Sequence, residues 1–183
     1  MWQIRIKPGS GIGAALTVLA AAVIACNVEY TPPTVSDGGS SGGAPPGVTE
    51  TGRVIDVIDG DTIDVEIDGR VERVRYVGVN TPERDETCYR EARAANQALV
   101  SGQIVSLVRD ESDTDRYDRL LRYVYVGGTF VNAELVRGGW AEAVLYRPDD
   151  REWANFAAVE RDAAAAGRGC HPTGIFNDGN DER

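Results

Sequence analysis

Three short segments of the chain combine acidic, basic and amide side chains that suit phosphate chemistry. They are Asp59–Thr62, Arg75–Glu83 and Thr114–Arg119. Carboxylate, amide and backbone carbonyl oxygens are the ligands that hard divalent cations such as Ca²⁺ prefer. Guanidinium groups match the geometry of phosphate oxygens and form charge-assisted pairs with them. The three segments thus contain the residue types that bind hard cations and phosphate groups.

Taken singly, each segment has an ordinary structural explanation. Asp59-Gly60 between two β-rich runs is typical of a hairpin turn. Pro82 cannot continue a central strand, so its neighbourhood is typical of a loop. The run Asp115–Arg119 is typical of a solvated charged loop. The functional interpretation depends on the occurrence of all three segments in this order.

The elements that must position these segments are mainly strands. Apolar and acidic residues alternate over Ile63–Ile67, which predicts a strand with one wet face. Asp68-Gly69 after it predicts a tight hairpin turn. The five predicted strands are Val54–Ile58, Ile63–Ile67, Val71–Val79 (continuing to Pro82), Ile104–Val108 and Leu120–Val126.

Helices follow the third and fifth strands. Apolar residues at helical spacing predict one helix from Tyr89 to Val100. Asn132 is predicted to cap a short helix that Gly138-Gly139 ends. Asp149, with Glu152 three residues later, resembles a capping box that opens a helix running to Gly167. The predicted fold is α+β, mainly β, an OB-fold five-stranded barrel with about three flanking helices.

The order and spacing of the three segments resemble the staphylococcal-nuclease (thermonuclease) family over nearly the whole of residues 52–169. The resemblance implies a calcium-dependent endonuclease that hydrolyses phosphodiester bonds of DNA, RNA or both, with single-stranded or frayed nucleic acid favoured. It implies Ca²⁺ as the cofactor. The matching site residues are Asp61, Asn80 and Thr81 as metal ligands, Glu83 as general base, and Arg75 and Arg119 as stabilisers of the transition-state phosphate.

Three further residues match family positions near the nucleotide. They are Arg116, Tyr117 and Tyr146. Stacking of a tyrosine on a base contributes about 1–3 kcal/mol per base. Packing at the barrel rim is the alternative for the two tyrosines, and a solvated face is the alternative for Arg116.

Two positions depart from the family pattern. Asn80 stands where thermonuclease has an aspartate, so an amide oxygen without a full charge replaces a carboxylate, and we expect weaker calcium binding. Asp118 stands where many members have glycine. Aspartate tolerates unusual backbone angles better than most residues. Its carboxylate could, however, draw Arg119 away from phosphate.

The N-terminal 25 residues are typical of a signal peptide. Arg5 and Lys7 form a charged start, and the apolar run Ile12–Ala25 is shorter than the roughly 20 residues of a membrane span. The sequence Val23-Ile24-Ala25-Cys26 resembles a bacterial lipobox. It predicts an exported lipoprotein that is anchored to a membrane, on its periplasmic or cell-surface face, through lipidated Cys26. An ordinary signal peptide and a retained membrane anchor are the alternatives.

The remaining boundaries follow from composition. Residues 26–48 are rich in Gly, Ser and Pro and predict a flexible tether after the lipidated cysteine. The barrel domain is predicted to span residues 49–172, and a polar tail to span residues 173–183.

Two cysteines and one histidine remain in the domain. Exported relatives often carry cysteines near Cys88 and Cys170, which implies a disulfide between them in an oxidising compartment. Two free thiols are the alternative. His171 with two cysteines does not make a convincing zinc set, and we expect this histidine to lie at the surface.

The charge balance supports a competing hypothesis. The formal net charge is −10, whereas nonspecific nucleic-acid binders usually show a basic face. A non-catalytic OB module that binds nucleic acid or another ligand is therefore the main alternative to a nuclease, and a surface lipoprotein with an interaction role is a third. We expect a monomer.

Overall fold

The computed structural model describes residue 45, residues 47–177 and residue 179. The predicted signal peptide, the lipidation site Cys26 and most of the predicted tether lie outside the described residues. So does the end of the predicted tail. No helix among the described residues is both long enough and apolar enough to cross a membrane.

Eight strands and three α-helices make up the described domain. In chain order they are β1 (Val48–Val57), β2 (Thr62–Ile67), β3 (Arg70–Tyr76), β4 (Val79–Asn80), α1 (Tyr89–Val100), β5 (Ile104–Val108), β6 (Leu120–Val126), β7 (Thr129–Phe130), α2 (Val131–Arg137), β8 (Glu142–Ala143) and α3 (Trp153–Ala165), with a 3₁₀ turn at His171–Thr173.

Five of the strands close into a barrel. Neighbours are hydrogen-bonded in the order β3-β2-β1-β5-β6, and a parallel pairing of β3 with β6 completes the circle. The other barrel pairings are antiparallel. The predicted fold is confirmed, with five barrel strands and three helices, mainly β.

Strand β1 pairs with two strands, each along a different part of its length. Its first part pairs with β5 and its second part with β2, and the register shifts between Val54 and Asp56. A Cβ at Gly52 would lie 2.5 Å from the Glu66 carbonyl oxygen, so glycine is needed where β2 crosses closely. Apolar side chains from the inner faces of the strands fill the barrel. Those that are fully buried include Ile63, Val65, Val74, Tyr76, Val105 and Leu107.

The third predicted strand is wrong in its extent. The chain turns at Val77-Gly78 after β3, and β4 leaves the barrel to pair with β8. Gly78 adopts a φ of 77°, and a Cβ there would lie 2.8 Å from the Phe156 ring of α3. The strand therefore breaks because helix α3 packs on the glycine, a contact that a local pattern does not contain.

Both predicted N-caps are also wrong. Helix α2 begins at Val131, and Asn132 is buried inside it, where Oδ1 accepts from the Val124 N–H and Nδ2 donates to the Val77 carbonyl. Asp149 lies outside α3, and its Oδ1 accepts from the N–H groups of Glu111 and Ser112. Each of these side chains hydrogen-bonds to the backbone of a segment remote in sequence and does not cap a helix.

The C-terminal end of the domain is fixed to the start of α1. Cys88 and Cys170 form the predicted disulfide. His171, predicted at the surface, is only partly exposed, since its ring meets the edge of Phe176 and its buried Nε2 has no hydrogen-bond partner among the described residues. Burial lowers the pKa of His171.

Replacing both cysteines, as Cys88→Ser/Cys170→Ser, tests what this bond contributes. The bond joins positions 82 residues apart, so we expect the free energy of unfolding to fall by about 4–5 kcal/mol in the chain-entropy model. Urea denaturation followed by circular dichroism measures the difference. Dithiothreitol should destabilise the wild type to a similar degree and leave the variant unchanged. A change below about 1 kcal/mol would mean that packing alone holds this end.

Candidate active site

The turn between β1 and β2 presents a buried carboxylate. Asp61 is 5% exposed. Its Oδ2 accepts hydrogen bonds from the Thr81 N–H at 2.8 Å and from the Thr81 hydroxyl at 3.0 Å. A Cβ at Gly60 would lie 2.6 Å from Thr81 Oγ1. The glycine thus lets the Thr81 loop approach the turn, which brings the first two predicted segments together.

A second carboxylate lies in the same turn. Asp59 Oδ1 accepts from the Asp61 N–H at 3.0 Å. Burial, and next the negative charge of Asp61, raise the pKa of Asp59 to about 6. The turn therefore concentrates negative charge, and a positive group beside it is strongly favoured.

Arg75 is the positive group that the turn meets. Its Nε lies 3.1 Å from Asp61 Oδ1. One terminal nitrogen donates to the Val79 carbonyl at 2.8 Å, and the other donates to Asn80 Oδ1 at 3.3 Å. The Arg75 guanidinium thus contacts both the Asp61 carboxylate and the Asn80 amide oxygen.

Asn80 is held from its other side by β8. The strand register sets Asn80 directly across from Glu142. Nδ2 of Asn80 donates to Glu142 Oε1 at 2.8 Å, and both residues are buried. The carbonyl end of the amide therefore faces Arg75 and the nitrogen end faces Glu142.

The oxygens in this region fit a hard cation. Asp61 and Asn80 direct one oxygen each at the same positive group, and Thr81 lies against Asp61. Oxygen donors of mixed charge are the set that Ca²⁺ takes, with water completing the shell. No group of three or more His, Cys, Asp or Glu side chains that could hold a metal occurs in the part of the chain that the structure describes. The predicted set relies instead on one carboxylate, one amide and one threonine.

Arg119 lies on the loop that leads into β6. Its Nε and one terminal nitrogen both lie 2.7 Å from Asp115 Oδ2. The other oxygen of Asp115 accepts from the N–H groups of Tyr117 and Arg119. Burial raises the pKa of Asp115, but the hydrogen bonds from Arg119 and Tyr117 outweigh it and hold the pKa below its usual value. The carboxylate that pairs with Arg119 is thus Asp115, and an effect of Asp118 on this arginine stays a prediction.

Arg75 and Arg119 face one pocket of about 400 Å³. We call it the arginine pocket, and its lining residues are Arg75, Asp115, Arg116, Tyr117, Arg119 and Tyr146. The guanidinium groups of Arg116 and Arg119 lie 4.7 and 5.5 Å from the centre of the exposed Tyr117 ring. All three predicted nucleotide-contacting residues therefore line the same pocket as the two predicted phosphate ligands.

Glu83 does not line the arginine pocket. Its backbone N–H donates to Glu86 Oε2, and its side chain is exposed. It borders a smaller cavity of about 40 Å³, whose other lining residues are Asn80, Pro82, Glu86, Glu142, Ile175 and Phe176. Arg75 lines the arginine pocket and Asn80 lines this cavity, and the two residues are hydrogen-bonded to each other.

The sequence interpretation missed two residues of this region. Asp115 belongs to a segment that was singled out, and its four-residue spacing from Arg119 was the available signal. Glu142 had no local signal, because its partner Asn80 lies 62 residues away and β8 is only two residues long.

A closed five-stranded barrel, whose acidic β1–β2 turn pairs with an arginine that lines the arginine pocket, defines a small OB-type domain. The family model described as "Staphylococcal nuclease homologue" matches residues 73–170. The chain therefore belongs to the staphylococcal nuclease family.

Individual relatives give the same assignment. "Thermonuclease" of Staphylococcus hyicus is 35% identical over 140 residues, which cover 73% of this chain and 82% of that protein. "Thermonuclease" of Staphylococcus intermedius is 39% identical over 101 residues, 52% of this chain and 60% of that protein. "Endonuclease YncB" of Bacillus subtilis (strain 168) is 38% identical over 114 residues, 58% of this chain and 54% of that protein. The last two are thus matched over less than two thirds of their length.

Substitutions at Asp118 test the turn before Arg119. Asp118 has a φ of 60°, a conformation that glycine adopts without steric cost. We expect Asp118→Gly to be at least as stable as wild type, and Asp118→Ala to be less stable than Asp118→Gly by about 1 kcal/mol. Thermal denaturation measures both. Equal stability of the two variants would contradict a left-handed backbone at this position.

Proposed function

We propose that this protein is a calcium-dependent nuclease that hydrolyses phosphodiester bonds of DNA, RNA or both. The observation that carries the proposal is the arginine pocket, because it gathers three arginines and two tyrosines beside a buried acidic turn. A pocket lined by both arginines and aromatic rings suits a nucleotide, because the arginines can bind its phosphate and the rings can stack on its base.

The first step assigned to this chain is the binding of phosphate. A guanidinium carries five N–H donors, and Asp115 engages only one edge of the Arg119 fork. Arg119 can therefore keep Asp115 as its support and donate from its other edge to a phosphate oxygen. Arg75 would contribute from the opposite side of the pocket. Both donations strengthen as negative charge accumulates on the phosphate in the transition state.

The second step is removal of a proton from the attacking water. Glu83 is the proposed base, and its exposed side chain lies on the cavity next to Asn80. As water oxygen bonds to phosphorus, its proton passes to the Glu83 carboxylate, while the leaving oxygen departs with the electron pair of the broken P–O bond. A general base of this kind contributes about 10²–10⁴-fold to a rate.

Asp61, Asn80 and Thr81 are the residues that would hold the calcium ion. When bound, such an ion polarises a phosphoryl oxygen and offsets negative charge on the phosphate. Asp61 and Thr81 are already fixed to each other by two hydrogen bonds, which lowers the ordering cost of binding. Asn80 brings an oxygen without a full charge, so the proposal includes a weaker calcium affinity than a second carboxylate would give.

Cleavage assays on single-stranded DNA and RNA, with calcium or with a chelator, test this function. We expect calcium-dependent cleavage that falls by about 10²–10⁴-fold in Glu83→Gln and by about 10²–10³-fold in Arg119→Ala. Arg70→Ala is the matched control, because this exposed arginine lies on the β2–β3 hairpin and does not line the arginine pocket.

A folded wild type that cleaves neither nucleic acid with any divalent ion would contradict the enzymatic proposal. Retained binding of oligonucleotides, lost in Arg119→Ala, would then favour the alternative of a non-catalytic binding module. An equal loss of cleavage activity in Arg70→Ala would mean that the overall charge of the protein, and not the arginine pocket, governs the reaction.

We also propose that the protein is exported and lipid-anchored through Cys26. The signal-like N-terminal sequence motivates this, and the Cys88–Cys170 disulfide supports it, since such bonds persist in oxidising compartments. In a bacterial host, the wild type should incorporate labelled palmitate and Cys26→Ala should not. Cys88→Ser/Cys170→Ser is the control and should still be labelled. Unchanged labelling of Cys26→Ala would contradict the proposal.

A further inference from the structure

A buried carboxylate that the proposed mechanism does not use lies beside the Asn80 amide. Glu142 is 5% exposed, and burial of a charged carboxylate is costly unless it is paired or hydrogen-bonded. Its Oε1 accepts from Asn80 Nδ2 at 2.8 Å. The contact is built into the fold, because β4 and β8 pair with Asn80 and Glu142 in register.

The chemistry of this contact fixes which end of the amide faces the site. An ionised carboxylate only accepts hydrogen bonds, and a guanidinium only donates them. Glu142 therefore requires the nitrogen end of the Asn80 amide, and Arg75 on the other side requires its oxygen end. The two neighbours select the same orientation, in which Oδ1 lies on the side of Arg75 and Asp61.

This orientation matters for an asparagine and not for an aspartate. An amide that is turned over presents an NH₂ group, which cannot ligate a cation, whereas the two oxygens of a carboxylate are equivalent. Hydrogen bonding to a carboxylate polarises the amide and makes its oxygen a better ligand for a cation.

We propose that Glu142 is a positioning residue that holds the Asn80 amide with its oxygen toward the Asp61 side, and so sets the affinity and selectivity of the cation site. The proposal rests on the proposed function, since Asn80 is there a ligand of the ion. Glu142 and Asn80 work as one unit, in which the amide supplies the ligand atom and Glu142 supplies its orientation.

Calcium titration calorimetry on the full chain without nucleic acid tests this proposal independently of activity. Glu142→Gln preserves shape, but its amide can either accept from or donate to Asn80, so that Arg75 alone still selects the orientation of the Asn80 amide. We expect calcium affinity to fall by about 10-fold or more, as is usual when a residue supporting a metal ligand is changed. Glu142→Asp, which keeps the charge but shortens the reach to Asn80, should also lose affinity.

An Asn80→Asp background separates positioning from simple structural support. Aspartate needs no orienting partner, and Glu142 becomes a second carboxylate that repels it. In this background we expect Glu142→Gln to leave calcium affinity unchanged or to raise it, so the effect of the same substitution disappears or changes sign. The matched control is Glu91→Gln, because Glu91 is an exposed carboxylate of helix α1 and lines neither the arginine pocket nor the cavity beside Asn80. This control should alter affinity by less than about twofold, well below the 10-fold expected above.

The outcomes distinguish this proposal from the function on which it rests. Wild-type calcium binding that Glu142→Gln leaves unchanged overturns the positioning role alone. An equal loss of affinity in the Asn80 and Asn80→Asp backgrounds also overturns it, since that is the result for a structural residue or a direct ligand. A folded wild type that binds no divalent ion removes the metal site itself, and with it both proposals. Thermal denaturation of each variant verifies that the compared proteins are folded.

Discussion

The parallel pairing of β3 with β6 is the constraint on which the rest of this structure depends. It is the one parallel pairing among the described strands, and it sets Arg75 across from Leu121. Arg119 lies two residues before Leu121, so closure of the barrel places both arginines at one pocket. Parallel pairs are slightly less stable per residue than antiparallel pairs. Here the buried side chains of Val74, Tyr76 and Leu121 at the seam offset that weakness.

In this acidic protein, carboxylates form ion pairs with two arginines of the pocket and with one buried arginine. Asp61 pairs with Arg75, and Asp115 pairs with Arg119. Arg122, only 1% exposed, is held by Glu50 and Asp113. A net charge of −10 is therefore compatible with the arginine pocket, because part of the negative charge fixes guanidinium groups in place. Asp61 and Asp115 add to the net negative charge, and they also fix Arg75 and Arg119, which line the arginine pocket.

Features with a local cause could be predicted from the sequence. Alternation of apolar and acidic residues predicted β2, and the Asp68-Gly69 turn is present with positive φ at both residues. Helix α1 has the predicted bounds. The break at Gly78, the two-residue strands β4 and β8, and the tasks of Asn132 and Asp149 could not be predicted. Each depends on a partner from a distant part of the chain, such as Phe156 for Gly78 and Glu142 for β4.

The exclusive use of arginine in the domain has a consequence for how the pocket responds to its solution. The single lysine of the sequence is Lys7, so every cation lining the arginine pocket is a guanidinium. A guanidinium keeps its proton to above about pH 12. The positive charge of this pocket is accordingly constant wherever the barrel is folded. Any dependence of phosphate binding on pH must therefore arise from neighbouring carboxylates, such as Asp115, or from the nucleic acid itself.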